Sequence, residues 1–167
     1  MSDVIQDSID FIKANKKSLI DEFCSLQLCP PSPKPFTLFM AGSPGSGKTE
    51  FSKALIKQIE QKDPRYKVLR LDVDELREKI PFYTGANSDD VQKASTILFE
   101  KIFDRIQQNS QNVLIDGTFS GGKSINDLER ALNRSRSVGI IYLYQDPLVA
   151  WDYTQKREKL EGRTVPK

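Results

Sequence analysis

The sequence predicts an α/β fold of three layers, a mostly parallel sheet flanked by helices, preceded by an N-terminal helical extension. Three observations predict it. From residue 36 onward, short apolar runs of strand length alternate with longer segments of helical spacing, as parallel strands joined by crossover helices require. The first of these strands runs into the octapeptide Gly42-Ser43-Pro44-Gly45-Ser46-Gly47-Lys48-Thr49, a glycine-rich phosphate loop of the Walker A pattern. The next two strands deliver Asp72, Asp74 and Asp116 at their carboxyl ends, the edge at which open sheets of this kind hold ligands.

Taken in order, residues 2 to about 27 carry Ile5, Ile9, Ile12, Ile20 and Phe23 at helical spacing, which predicts one amphipathic helix or a helical pair. Such a helix is expected to brace the main domain, with obstruction of the site as the competing reading. Pro30-Pro31-Ser32-Pro33-Lys34-Pro35 cannot continue a helix and should run extended as a stiff connector. Residues 1–34 therefore read as an extension with its linker, and 35–167 as the main domain. Phe36 to Ala41 is the first strand, and Phe51, Ala54, Leu55 and Ile59 place a helix over Glu50 to Gln61. Tyr66 to Leu71 is the second strand, followed by a short helix over Asp74 to Lys79 and a loop around Pro81 to Gly85. Ser88 is placed to cap a long helix from Asp89 to about Gln108, whose buried face is Val91, Ala94, Ile97, Leu98, Ile102 and Ile106. Asn112 to Ile115 is the third strand. After Gly121-Gly122 come a helix through Leu128 and Leu132, a strand over Val138 to Tyr144, and a last helix that Pro147 starts and that runs towards Glu161.

At 167 residues the chain can bury a full core. Its 25 basic and 23 acidic side chains leave a net charge of +2, so the broad basic footprint of a nucleic-acid binder is not visible. Asp3, Asp7 and Asp10 make the N-terminus the reverse of a signal peptide, and no apolar run approaches a membrane span, so a cytoplasmic protein is expected. Cys24 and Cys29 read as ordinary reduced thiols. The chain has no histidine, which removes Ser-His-Asp and Cys-His nucleophile pairs and histidine-ligated zinc at once. Any base must be a carboxylate, lysine or tyrosine, and any metal must be held by oxygen, which suits magnesium.

The loop has a physical reason for its spacing. Glycines let the backbone fold into a nest of N–H groups around phosphates, and the following helix aims its positive dipole end at the same charge. Lys48 would reach the β- and γ-phosphates of ATP, and Thr49 would ligate Mg2+. Asp72 and Asp74 project to the same side if the extended geometry persists, so that one serves the metal or its waters and the other, Asp74, faces an acceptor hydroxyl as base. Capping of the short helix by either aspartate is the competing reading. Asp116 follows an apolar strand as a magnesium-side carboxylate does, against the alternative of an Asp-Gly turn. The basic C-terminal stretch around Arg157 and Arg163 could close over phosphates as an internal arginine finger or form a solvated helix face.

Together these residues resemble the zeta toxin family of small phosphate-loop kinases. The shared motifs are Gly42 to Thr49, then Leu71-Asp72-Val73-Asp74-Glu75-Leu76-Arg77 with Pro81, Glu100, Ile115-Asp116-Gly117-Thr118, Arg157, and Arg163-Thr164-Val165-Pro166-Lys167. The resemblance implies a P-loop NTPase fold and transfer of the γ-phosphate of ATP to a hydroxyl of a nucleotide-sugar, UDP-N-acetylglucosamine in characterised members, under the restraint of a partner antitoxin. It implies Asp74 as base, Lys48 as phosphate anchor, Thr49 as magnesium ligand, and Arg157 and Arg163 as phosphate-binding arginines of a lid. Glu100 and Thr118 would contact the sugar nucleotide, with Asp72, Arg77 and Asp116, the last in place of the family's usual glutamate, completing the substrate side. Where family toxins commonly carry arginine two positions after the motif threonine, this chain has Ser120, with Lys123 as the candidate compensating cation. Family members continue past the position of Lys167, which implies a trimmed or abbreviated domain here. The alternatives are a kinase for a dinucleotide or a nucleic-acid end, and a nucleotide-binding regulatory ATPase. A GTPase is disfavoured because no Asn-Lys-x-Asp motif occurs.

Overall fold

A computed structural model of the chain describes residues 2–161, and the side chains within residues 3–156. The elements run α1 (Ser2–Phe23), β1 (Phe36–Ala41), α2 (Lys48–Lys62), β2 (Val68–Asp72), α3 (Val73–Glu78), α4 (Ser88–Gln108), β3 (Asn112–Asp116), α5 (Gly122–Asn133), β4 (Ser137–Tyr142) and α6 (Pro147–Glu161). The four strands form one parallel sheet in the order β2-β3-β1-β4. The order doubles back at β1, so β1 and β3 splay their following loops to opposite sides and open a crevice at their carboxyl ends.

Strand alternation sorts the side chains between the two faces. Phe39, Leu71, Val113 and Ile115 join the core formed with α3, α4 and α1, while Met40, Val68 and Leu114 meet Leu55, Ile56 and Ile59 of α2. Both faces of the central strands are covered, which is why β3 reads as an uninterrupted run of buried residues. α4 is buried along Val91, Ala94, Leu98, Ile102 and Ile106, as its periodicity predicts. Its outer side is covered by α1, whose Ile9, Ile12, Leu19 and Ile20 belong to the same core. The N-terminal helix therefore packs on the main domain, in the core cluster of α4 and not in that of α2.

Polar stitching fixes the connector. The buried Gln111 amide donates to the carbonyls of Cys24 and Cys29 at 3.2 and 2.7 Å, and Asn112 bridges the backbones of Phe36 and Lys67. Ser88 is the first helical residue of α4 and Asn87 holds the cap position, with the Asn87 Oδ1 turned back to the Thr84 N–H at 2.8 Å. No helix among the described residues is long and apolar enough to cross a membrane.

Candidate active site

The phosphate loop joins β1 to α2 and is shaped by its glycines. Gly45 and Gly47 hold φ of 78° and 83°, left-handed backbone that suits glycine. A β-carbon on Gly45 would lie 2.2 Å from the Ala150 carbonyl oxygen of α6 and 3.0 Å from Thr154, so the loop rests directly on that helix. Gly47 is the N-cap of α2 and offers no side chain to its N–H groups; a β-carbon there would meet nothing within 4 Å. An uncapped helix start facing open space is a cradle for phosphate, so the residues present fit a nucleotide. The Lys48 ammonium donates to the carbonyls of Gly42 and Ser43 at 2.9 and 2.6 Å, poised at the mouth of that cradle. Thr49 sits half-buried in the first turn of α2. Among the described residues no group of three carboxylates or thiols is spaced to enclose a metal, and Thr49 is the residue placed to ligate one beside bound phosphate.

Beside the loop, beyond the ends of β2 and β3, lies a cleft of about 400 Å³. Its walls include Asp74 and Arg77 of α3, Gln92, Thr96 and Phe99 of α4, and Thr118, Phe119, Ser120, Lys123 and Asp127 of the β3–α5 segment. The structure thus brings Asp72, Asp74, Arg77, Asp116 and Thr118 to one cleft. Extended geometry ends at Asp72, where the chain turns into α3. Asp72 is the N-cap of that helix, its Oδ1 accepting the Asp74 N–H at 2.8 Å, and Asp74 falls in the first helical turn. The Asp74 side chain is 43% exposed and accepts from Arg77 Nη1 at 2.5 Å, while Arg77 Nη2 reaches Gln92.

Asp116 is buried beneath the cleft, its Oδ2 accepting from Ser52 Oγ at 2.8 Å and Arg70 Nη2 at 2.6 Å. Burial pushes the Asp72 carboxyl above the usual carboxylate range, against the pull of the Asp74 N–H and of Arg70. Glu100 stands behind the cleft wall: it accepts from Lys123 Nζ at 2.9 Å and Arg130 Nη1 at 2.5 Å, and the wall there is Lys123. Lys123, also 5.1 Å from the centre of the Phe99 ring, has its charge matched by Glu100. Arg157 and Arg163 lie outside the residues whose side chains are described.

Four features in or beneath the cleft escape sequence reasoning. Arg70 is visible only as a charge between the apolar Leu69 and Leu71, a signal that a partner carboxylate is near. Phe119 takes a left-handed backbone, φ 52°, with its ring edge-on to Phe39 at 5.3 Å. That turn folds Thr118 Oγ1 to within 2.8 Å of Ser120 Oγ, so two hydroxyls face the cleft as a pair. Asp127 is a buried carboxylate of α5, raised above its ordinary range by burial and by nearby Glu100, and bonded to Arg130 at 2.7 Å. Nothing in the local sequence separates it from a surface residue of an amphipathic helix.

The zeta toxin family profile matches residues 20–167. Among solved structures, the fold is similar to a chain of the PezAT chromosomal toxin-antitoxin system of Streptococcus pneumoniae, at 18% identity and a TM-score of 0.72, over 96% of this chain and 65% of that one. It is also similar to a chain of the Pnkp1/Rnl/Hen1 RNA repair complex, at 19% identity and a TM-score of 0.59, over 80% of this chain and 40% of that one. A candidate kinase of Chloroflexus aurantiacus aligns at 15% identity and a TM-score of 0.62, over 78% of this chain and 71% of that one. At such identities the likeness establishes the fold alone. The chain spans under two thirds of the length of the first two. No curated protein matches the sequence.

Proposed function

Because the chain belongs to the zeta toxin family, we propose that it is an ATP- and magnesium-dependent kinase that phosphorylates a hydroxyl of a small acceptor. UDP-N-acetylglucosamine is the acceptor that the family resemblance nominates. The observation that carries the reading is the shared rim: the uncapped N-terminus of α2 and a cleft holding the partly exposed Asp74 open on the same edge of the sheet. A nucleotide-binding switch has no need of the second half.

In the proposed step the acceptor oxygen forms a bond to the γ-phosphorus as the bond from that phosphorus to the β–γ bridging oxygen breaks, and ADP leaves with the electron pair. Asp74 takes the hydroxyl proton. Lys48 and the N–H groups of the loop and of α2 neutralise phosphate charge, and bound magnesium would supply further charge neutralisation with Thr49 as its protein ligand. Arg77, fixed by Gln92, orients the Asp74 carboxylate. The Thr118–Ser120 hydroxyl pair offers hydrogen bonds to a sugar. The likeness to a toxin-antitoxin protein supports an antitoxin partner that restrains the activity.

The test is incubation with ATP, magnesium and a panel of UDP-N-acetylglucosamine, other UDP-sugars, NAD and short RNA, followed by mass spectrometry for a gain of one phosphate. Phosphorylated UDP-N-acetylglucosamine is the expected product. A gain on NAD or on an RNA end would move the acceptor to the dinucleotide or nucleic-acid class. ADP formed at the same rate with every acceptor and with none would establish a regulatory ATPase instead.

A further inference from the structure

Arg70 precedes Asp72 by two residues on β2, so both side chains project to the same face of the sheet, towards α2. The register pairs Asp72 directly with Asp116 on β3, and adjacent strands bring two carboxylates within about 5 Å. Like charges so placed repel. The Arg70 guanidinium, in a side chain only 10% exposed, lies between them. Its Nη2 donates to Asp72 Oδ2 at 2.7 Å and Asp116 Oδ2 at 2.6 Å, its Nε reaches Ser52 Oγ at 3.1 Å, and its Nη1 pairs with Glu75 of α3.

Two short chains of hydrogen bonds leave this one group. Through Asp72, whose other oxygen holds the Asp74 N–H at 2.8 Å, it reaches the backbone of the proposed base. Through Ser52, whose hydroxyl lies 2.9 Å from the Thr49 carbonyl and 2.8 Å from Asp116, it reaches the first turn of the phosphate-loop helix. We propose that Arg70 is a positioning residue for phosphoryl transfer, fixing the start of α3 and its Asp74 against the start of α2 so that acceptor and phosphate meet in line. The proposal rests on the kinase reading above. Arg70 does not line the cleft; it acts through Asp72 and Asp116. The apolar core beneath it, formed by Val68, Leu114 and the α2 side chains, holds the sheet to α2 without it. A lysine would keep the charge and lose the fork that spans two carboxylates and a hydroxyl at once.

The test compares Arg70→Lys, Arg70→Met and Ser52→Ala in the full chain, measuring melting temperature, affinity for a fluorescent ATP analogue with magnesium, and kcat and KM for transfer. Arg70→Lys is expected to melt near the wild type and to keep both KM values within about threefold, while kcat falls on the order of 10²-fold, the signature of lost positioning. Ser52→Ala, which removes one hydroxyl from a buried site, is expected to lower kcat by about tenfold with the same unchanged KM values. Arg70→Lys with wild-type kcat would overturn the assignment, as would a loss of kcat that tracks loss of folded protein or of nucleotide binding. Should both arginine variants unfold, wild-type kcat in Ser52→Ala would overturn it. A wild-type chain that phosphorylates no acceptor overturns the kinase reading and this proposal with it, whereas an active wild type beside an equally active Arg70→Lys overturns only the role of Arg70.

Discussion

In the proposed kinase Asp74 serves the acceptor side and Lys48 the phosphate side, and that division separates the expected effects of removing them. Asp74→Asn keeps the shape and the Arg77 contact but cannot take a proton. It should lower transfer by about 10²–10⁴-fold while leaving ATP affinity almost intact, measured by kcat against a binding titration. Lys48→Ala removes the ammonium from the mouth of the cradle and should damage both. Their positions were legible in the sequence: a fixed motif places Lys48 at the start of α2, and the end of β2 places Asp74 two residues on, in the first turn of α3. Arg70 was not, because its meaning depends on the β2–β3 register that sets Asp72 beside Asp116. Glu100 could be nominated only through the family resemblance, and the structure seats it one layer back, against Lys123 and Arg130.

At the scale of elements, the alternation of strands and helices was readable throughout because each strand is an apolar run between polar helices. The ends were less so. α2 begins at Lys48, two residues before the Glu50 start expected from its apolar pattern, since a phosphate loop requires a bare helix start. β2 stops at Asp72 because that side chain caps α3, an outcome that extended alternation alone does not distinguish. The contact between the phosphate loop and α6 was invisible in sequence, for it pairs residues a hundred positions apart. It makes Gly45 a packing residue as well as a turn residue. Gly45→Ala combines a left-handed backbone with a β-carbon 2.2 Å from the Ala150 oxygen. The backbone strain alone costs about 1–2 kcal/mol, so ATP affinity measured by titration should fall by about tenfold or more.

For the whole molecule, α1 matters more than its separation by a proline-rich connector suggests. Ile12, 1% exposed, sits in the same core as Ile102 and Ile106 of α4. Ile12→Ala should therefore destabilise the entire fold by about 2–5 kcal/mol. Buried Cys24 supplies the readout: burial pushes its thiol up to about 12, so it stays protonated at pH 8 and resists alkylation until the chain unfolds. Urea-dependent alkylation should show Cys24 reacting at a lower midpoint in the variant, and an unchanged midpoint would mean that α1 is an ornament on an independent domain. The seat of Gly45 on Ala150 and Thr154 carries a last consequence. A loop that has no clearance on one side cannot stiffen alone: whatever quiets its backbone must also quiet the helix against which it rests. Occupancy of the cradle should thus be audible at a distance, as slower amide hydrogen exchange along α6 when nucleotide is added.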